Sequence, residues 1–511
     1  TSSPFQGKTS LTLLTIGDLV TSIGNSAFSG CTGLTSISIG NSVTSIGSDA
    51  FYGCSGLTSI SLPDNVQTIG SSAFYGCTGL TSITIENNVT SIGSSAFYDC
   101  IGLTSISLPD NLKTIESSTF YGCTGLTSII IGNSVTSIGS DAFYGCSGLT
   151  SIAIPDNVKT IGNSAFYRCT GLTSIIIGNS VTSIGSDVFY GCSDLTSIAI
   201  PDNVKTIGSS AFYGCTGLTS ITIGNSVTSI GSSAFSGCIG LEEFIISKDN
   251  QAYRTLDSVL FSKDKTTLVC YPNAKGSTYS IPEGVTSIGS YAFYDCIDLI
   301  SITMPNSLTS IKNNAFYGCT GLNSITLSNS LTSIGNLAFC GCTGLTSITF
   351  PNSVKSIGSL AFSGCEGLSS IYCMSSTPPA VGENGFKDVN ESTCKLYVPK
   401  ESYGAYWSTK PWYDFENIIG IDPESGVKNT TLEGIKLYPN SAASLLYIGL
   451  GENTEICDIS IYSTTGQKVH TEVTIATNIS LNISGYPAGT YIVQASDINK
   501  QIYNLGKFVK K

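Results

Sequence analysis

Histidine, cysteine and paired carboxylates are the side chains best suited to chemistry, and this sequence distributes them unevenly. His470 is the single histidine in 511 residues. Two-histidine metal sites are therefore excluded, and a histidine-assisted nucleophile would have to be built around that one ring. Cysteine is abundant, at 19, but fourteen of these recur every 23 residues, from Cys31 to Cys238 and again from Cys296 to Cys365. No cationic neighbourhood that would lower a thiol pKa is visible along this column. A small, weakly donating, apolar side chain copied in place reads instead as a buried ladder of free structural thiols. Cys373 and Cys394 fall outside the column and make the best pair for a disulfide. The 35 acidic residues gather in turns and in one charged stretch, with no motif bringing two carboxylates into a pocket. Asp64, Asp110, Asp156 and Asp202 repeat every 46 residues within Pro-Asp-Asn. Roughly 10 Å apart at strand spacing, they are too distant to share a Ca²⁺ ion and read as turn residues. The sequence thus predicts no catalytic residue, no metal site and no cofactor.

Composition narrows the partners. A net charge of −12 with only two arginines, Arg168 and Arg254, argues against nucleic acid, whose phosphates require cationic and preferably bidentate donors. Only 11% of residues are charged, against about 25% in ordinary soluble domains. No apolar run reaches the 18 residues of a membrane span. The chain opens at Thr1 without an initiator Met or signal peptide, and reads as already mature or trimmed.

The elements that must position these residues are set by an internal repeat. Phe recurs every 23 residues from Phe28 to Phe235, and resumes in the same frame from Phe293 to Phe362. One of the fourteen units runs NSVTSIGSDAFYGCSGLTSIAIP from Asn133 to Pro155. Its L-T-S-I-x-I segment has the alternation of a leucine-rich-repeat strand, which points Ile152 and Ile154 inward and Ser151 and Ala153 outward. Val135–Gly139 reads as a second short extended segment. SDAFYGC between them is predicted to be a helical turn anchored by Ala142 and Phe143. One unit cannot bury its apolar face alone, so the units must stack, making an array roughly 65 Å long at about 4.8 Å per coil.

The consensus N-x-V-T-x-I-G-x-x-A-F-x-G-C-x-x-L-T-S-I-x-I resembles the BspA-like leucine-rich repeats of bacterial surface proteins, over about 370 residues. The resemblance implies a mostly β repeat solenoid of short strands plus helical turns. The interruption, Phe244 to Pro272, resembles an insertion common in that family and reads as a solvated hairpin projecting from the stack. After Tyr372 the frame fades into an aromatic stretch with Trp407, Trp412 and Phe415, suited to capping the last coil; a sugar platform on the two tryptophans is the lesser reading. GIKLYPN from Gly434, ISIYSTTGQKV from Ile459, YPAGTYIV from Tyr486 and the final GKFVKK resemble the type A C-terminal sorting domain of the type IX secretion pathway of Bacteroidota. Ser441 departs from the Pro usual after YPN. The expected organisation is a solenoid over 1–372 with a hairpin insertion near 242–281, a cap over 373–425, and a small β-sandwich over 426–511. The sorting domain implies handling by the type IX machinery and an extracellular or outer-surface location.

Two surface columns remain. Tyr follows Phe in eight consecutive coils, from Tyr52 to Tyr213, and reads as self-stacking along one edge in preference to an interface. The outward strand column is Ser or Thr up to Ser107, then Ile130, Ala153, Ile176 and Ala199, then Thr222. An apolar strip rimmed by the hydroxyls of Ser128, Ser151, Ser174 and Ser197 is what a protein-binding patch needs. The expected function is non-enzymatic adhesion to a protein ligand. By the family resemblance this is a host extracellular or bacterial surface protein, held by many weak contacts along an extended sheet. The competing readings are a surface spacer without a specific ligand, a carbohydrate-binding module, and an ice-lattice face, which the apolar interruption and the insertion disfavour.

Overall fold

In the computed structural model, residues 3–421, 436–438, 441–442, 445–449, 456–463, 468–473, 478–497 and 502–510 are described. They form two compact units, one from the described residues of 3–396 and 408–417, the other from those of 397–407 and 418–510.

The first unit is a parallel β-solenoid. Isoleucine, Thr and Ser at alternating positions favour a pleated, half-buried strand. Successive coils pair in register at the 23-residue period, as in Ser151↔Ser174 and Ile152↔Ile175. The second short strand pairs likewise, Ser137↔Thr160 and Ile138↔Ile161. The corner between them is not helical. Asp141 and Gly145 sit in the left-handed region, at φ 56° and 70°, which interrupts α-helical bonding and leaves two overlapping turns. Tyr144 N–H donates to Asp141 O and Cys146 N–H to Phe143 O, both at 3.1 Å. These turns stack through a third backbone ladder: Asp141 N–H donates to Asn163 O at 2.9 Å, Phe143 to Ala165 O at 2.8 Å and Gly145 to Tyr167 O at 2.7 Å. Three ladders per coil satisfy a backbone that has almost no regular helix.

Each coil fills its interior with the same set. In the unit beginning at Asn133 these are Val135, Ile138, Ala142, Phe143, Cys146, Leu149, Ile152 and Ile154, all buried. The Phe rings form a continuous stack from Phe28 to Phe235, with centroids 5.2–5.7 Å apart. Close stacking leaves no room for side chains at some glycines. A Cβ on Gly148 would lie 2.5 Å from Thr124 O.

The insertion does not project. Val259–Ser262 pairs antiparallel with Tyr253–Leu256 and with Thr267–Cys270, and Thr267–Cys270 in turn pairs in parallel with the next coil at Ser287–Ile288. Val259, Leu260, Phe261, Leu268 and Tyr271 are buried, and Tyr271 stacks on Phe293 at 5.0 Å. The dense charge that suggested a solvated hairpin lies around this apolar row, and the row decides the placement.

At the far end, Phe386 stacks on Phe362 at 5.5 Å. Residues 383–387 continue the third ladder, accepting from Leu360, Phe362 and Gly364. Trp412 and Phe415 are buried beside Phe386, and Trp412 Nε1–H donates to Pro379 O at 2.9 Å. Trp407 belongs to the other unit and is 58% exposed. It stacks on Tyr403.

The second unit contains an antiparallel three-stranded sheet of Lys436–Tyr438, Leu445–Gly449 and Asn478–Asn482. It also has a five-stranded sheet in the order Ser441–Ala442, Ile502–Lys510, Gly489–Asp497, Ile456–Ser463, Lys468–Val473. Leu446, Ile448, Ile459, Ile461, Leu481, Tyr491 and Phe508 form its core, the pattern of a small sandwich. His470 pairs with Ile461 through the backbone; its side chain, and residues 434–435 and 439–440 of GIKLYPN, lie outside the described residues.

Candidate binding faces of the solenoid

The strand alternation places Ile130, Ala153, Ile176 and Ala199 on the outer face, with Ile130 68% and Ile176 70% exposed. Register makes them neighbours in one column, since Ala153 sits opposite Ile176 and Ala199 opposite Thr222. Ser128, Ser151, Ser174 and Ser197 are exposed two residues earlier in the same strands. The next hydroxyl column is tied down: Thr127 Oγ1–H donates to Thr104 O at 3.0 Å, Thr173 to Thr150 O at 3.0 Å and Thr219 to Thr196 O at 3.1 Å. A partner that extended from the apolar strip over the serines to the threonine column would meet threonine hydroxyls already bonded to the backbone, so burying them leaves their protons satisfied.

Sequence reasoning missed Ile245. It follows Thr222 by 23 residues, pairs with it in register, and is 44% exposed. The 23-residue frame was the available signal, hidden because Ile245 already lies inside the charged insertion.

The cysteine column is buried throughout, and its thiols are free. Apart from Cys296, which follows the insertion, the sulfurs donate to the Phe carbonyl of the preceding coil, as Cys146 Sγ to Phe120 O at 3.1 Å and Cys169 to Phe143 O at 3.1 Å. Burial pushes the Cys54 and Cys192 thiols up to about 12, and raises those of Cys123 and Cys146 well above the ordinary range. A thiol held protonated by burial is a poor nucleophile and a poor metal ligand. Cys373 and Cys394 are both buried, with the Cys394 thiol pushed up to about 11 by burial. Among the described residues, no cluster of three His, Cys, Asp or Glu side chains could hold a metal ion.

The tyrosines stack with centroids 4.4–4.7 Å apart from Tyr52 to Tyr213, closing one edge of the coils. The aspartates of Pro-Asp-Asn are turn residues. Oδ1 of Asp110, Asp156 and Asp202 accepts from the backbone of Asn133, Asn179 and Asn225, and Asp64 O accepts from Asn88 Nδ2.

Comparison with known proteins agrees with this construction. The family described as BspA type leucine rich repeat region matches residues 1–127, 91–198, 182–273 and 268–392. The secretion system C-terminal sorting domain matches residues 436–511. Among solved structures, a leucine-rich repeat protein from Eubacterium ventriosum is 28% identical, over 59% of this chain and 75% of its own, with a TM-score of 0.47. One from Bacteroides ovatus is 28% identical over 74% and 88%, TM-score 0.46. A leucine-rich cell surface protein from Faecalibacterium prausnitzii is 26% identical over 79% and 90%, TM-score 0.36. No curated protein matches.

Proposed function

We propose that this chain, which belongs to the BspA-type leucine-rich repeat family, is a non-enzymatic adhesion protein that recognises a protein ligand along the outer face of its solenoid. Its C-terminal sorting domain is that of type IX secretion, and the protein is secreted or held at the cell surface. Among the described residues no helix is long and apolar enough to cross a membrane. The observation that carries the reading is the pair of isoleucines, Ile130 and Ile176, standing mostly exposed two coils apart with Ala153 between them.

Large aliphatic side chains on an otherwise hydroxylated sheet are costly to leave in water unless something covers them, and they form the apolar centre that interfaces need. The Ser128, Ser151, Ser174 and Ser197 column supplies the polar rim. Affinity would accumulate over several coils rather than in one pocket. The ligand class is a host extracellular or bacterial surface protein. Pull-down from extracts of both surfaces tests this, comparing the unaltered chain with Ile130→Asp plus Ile176→Asp. Specific capture by the unaltered chain and its loss in the variant supports recognition. Equal capture by both removes this face from the function, and no specific capture by either favours a spacer.

A further inference from the structure

The third backbone ladder is broken at one place. In the coil before the insertion, Ser210 N–H donates to Ser232 O at 2.9 Å, Phe212 to Ala234 O at 2.8 Å and Gly214 to Ser236 O at 2.9 Å. One coil later the equivalent donors, the N–H groups of Ser233, Phe235 and Gly237, have no acceptor among the described residues. The ladder then resumes, with Tyr271 N–H of the insertion coil donating to Ala292 O at 2.8 Å, and Tyr291 to Asn313 O and Phe293 to Ala315 O in the next.

The cause is a shortened corner. Ordinary coils place five steps between the strand isoleucine and the stacked aromatic, as from Ile288 to Phe293. The insertion coil takes three, from Leu268 to Tyr271, although Leu268 pairs with Ile288 and Tyr271 stacks on Phe293. The two missing residues belong to the segment that supplies the acceptor carbonyls elsewhere. A cleft of about 210 Å³ opens there, between Gly231–Ser236 on one side and Thr267, Val269, Cys270 and Tyr291 on the other. Ser236 stands on its wall, 4% exposed, and its hydroxyl has no partner. Unpaired donors at alternate residues with a buried orphan hydroxyl are rare in folded proteins and call for an acceptor.

We propose that this cleft binds the main chain of a short extended peptide segment, whose alternate carbonyls take the places of those the shortened corner lacks. The lining side chains are all uncharged, and the chain carries −12 overall. Both facts favour a neutral carbonyl over a carboxylate, whose charge would be desolvated without compensation. The volume equals about seven waters at ~30 Å³ each, which suits two or three small residues with the ends of a longer segment outside the cleft. Main-chain pairing with an unfilled edge is an established mode of peptide capture, and here the edge is a turn instead of a strand. This site is separate from the isoleucine strip.

The test uses the full chain, isotope-labelled, and the capped peptide acetyl-Gly-Ser-Ser-Ala-amide, copied from Gly70–Ala73 of an ordinary corner. Titration is expected to shift the Ser233, Phe235 and Gly237 amide resonances in a saturable way. Inserting Gly-Ser between Val269 and Cys270, which restores the corner, is expected to abolish the shifts. Ser236→Ala, which keeps the fold independent of that insertion, is expected to weaken binding about fivefold, the worth of one ordinary hydrogen bond. Absence of shifts at tens of millimolar peptide overturns the proposal. So do shifts unchanged in both variants, or the same shifts with sodium acetate and none with the peptide.

Discussion

Tyr213 and Tyr294, 81 residues apart in sequence, meet hydroxyl to hydroxyl at 3.4 Å. Their rings lie 6.1 Å apart and tilted by 60°, while Tyr294 continues into a regular stack with Tyr317 at 5.0 Å. Ser236 and Pro272 take the two places in the tyrosine column that would separate them. The edge stack thus spans the insertion by closing over these two smaller residues, and the two runs of repeats share one aromatic seam.

That seam contributes to stability. Tyr213→Phe keeps the ring against Tyr190 and removes only the hydroxyl contact, so it is expected to cost less than about 1 kcal/mol. Tyr213→Ala loses stacking on both sides and is expected to cost about 2 kcal/mol. Chemical denaturation of the two variants checks the difference; equal midpoints would show that stacking across the insertion adds nothing.

The exposed isoleucines are separable from the core by one position. Ile130→Asp plus Ile176→Asp is expected to change unfolding free energy by no more than about 0.5 kcal/mol per site. Ile129→Asp, one residue earlier in the same strand and only 7% exposed, is expected to cost more than about 4 kcal/mol by burying an unpaired carboxylate. Thermal unfolding of both variants reads this directly. Similar behaviour would contradict the alternation of the strand.

Much of this alternation was legible in sequence because the repeat averages noise away: Ile152, Ile154, Phe143 and Cys146 hold the same role fourteen times over. What escaped lay where repetition stops. Charge around Lys248 and Asp264 suggested a projecting insertion, whereas Val259–Phe261 buries itself in the stack. Trp407 and Trp412 look alike in sequence, yet Trp412 is buried and Trp407 is exposed. The corner read as helical because Ala and Phe are compatible with a helix, and the left-handed backbone at Asp141 leaves no strong mark in a single sequence. The isoleucine strip was visible except for Ile245, which the insertion concealed.

Alkaline pH should unfold the solenoid steeply. The Cys54 and Cys192 thiols are held up to about 12 in the folded state against an ordinary 9.0. Above pH 9 the unfolded chain releases protons that the folded one retains, so their contribution is complete below pH 9 and falls as pH rises towards 12. The slope is about 1.4 kcal/mol per pH unit for each such thiol. Circular dichroism from pH 8 to 12 is expected to show a cooperative loss, shifted upward when Cys54 and Cys192 are both replaced by Ala. An unshifted transition would exclude these two thiols as its cause.

Trp412 seals the last coils. Trp412→Ala is expected to cost about 3–5 kcal/mol and to speed hydrogen exchange in the coil containing Phe350 and Phe362, whose rings lie close to Trp412 or to its neighbour Phe386. Exchange measured by mass spectrometry should leave the coils around Phe120 unchanged, because each repeat contacts only its neighbours. Uniform loss of protection along the array would count against that local role.

The same three backbone ladders close every junction between ordinary coils, so nothing in a junction records how many coils precede it. Removing the 46 residues from Pro109 to Ile154 would join two edges of matching shape, and copying them would do the same. Array length is thereby a quantity that recombination within the gene can change in steps of about 10 Å, altering how far the protein reaches without having to invent a new fold.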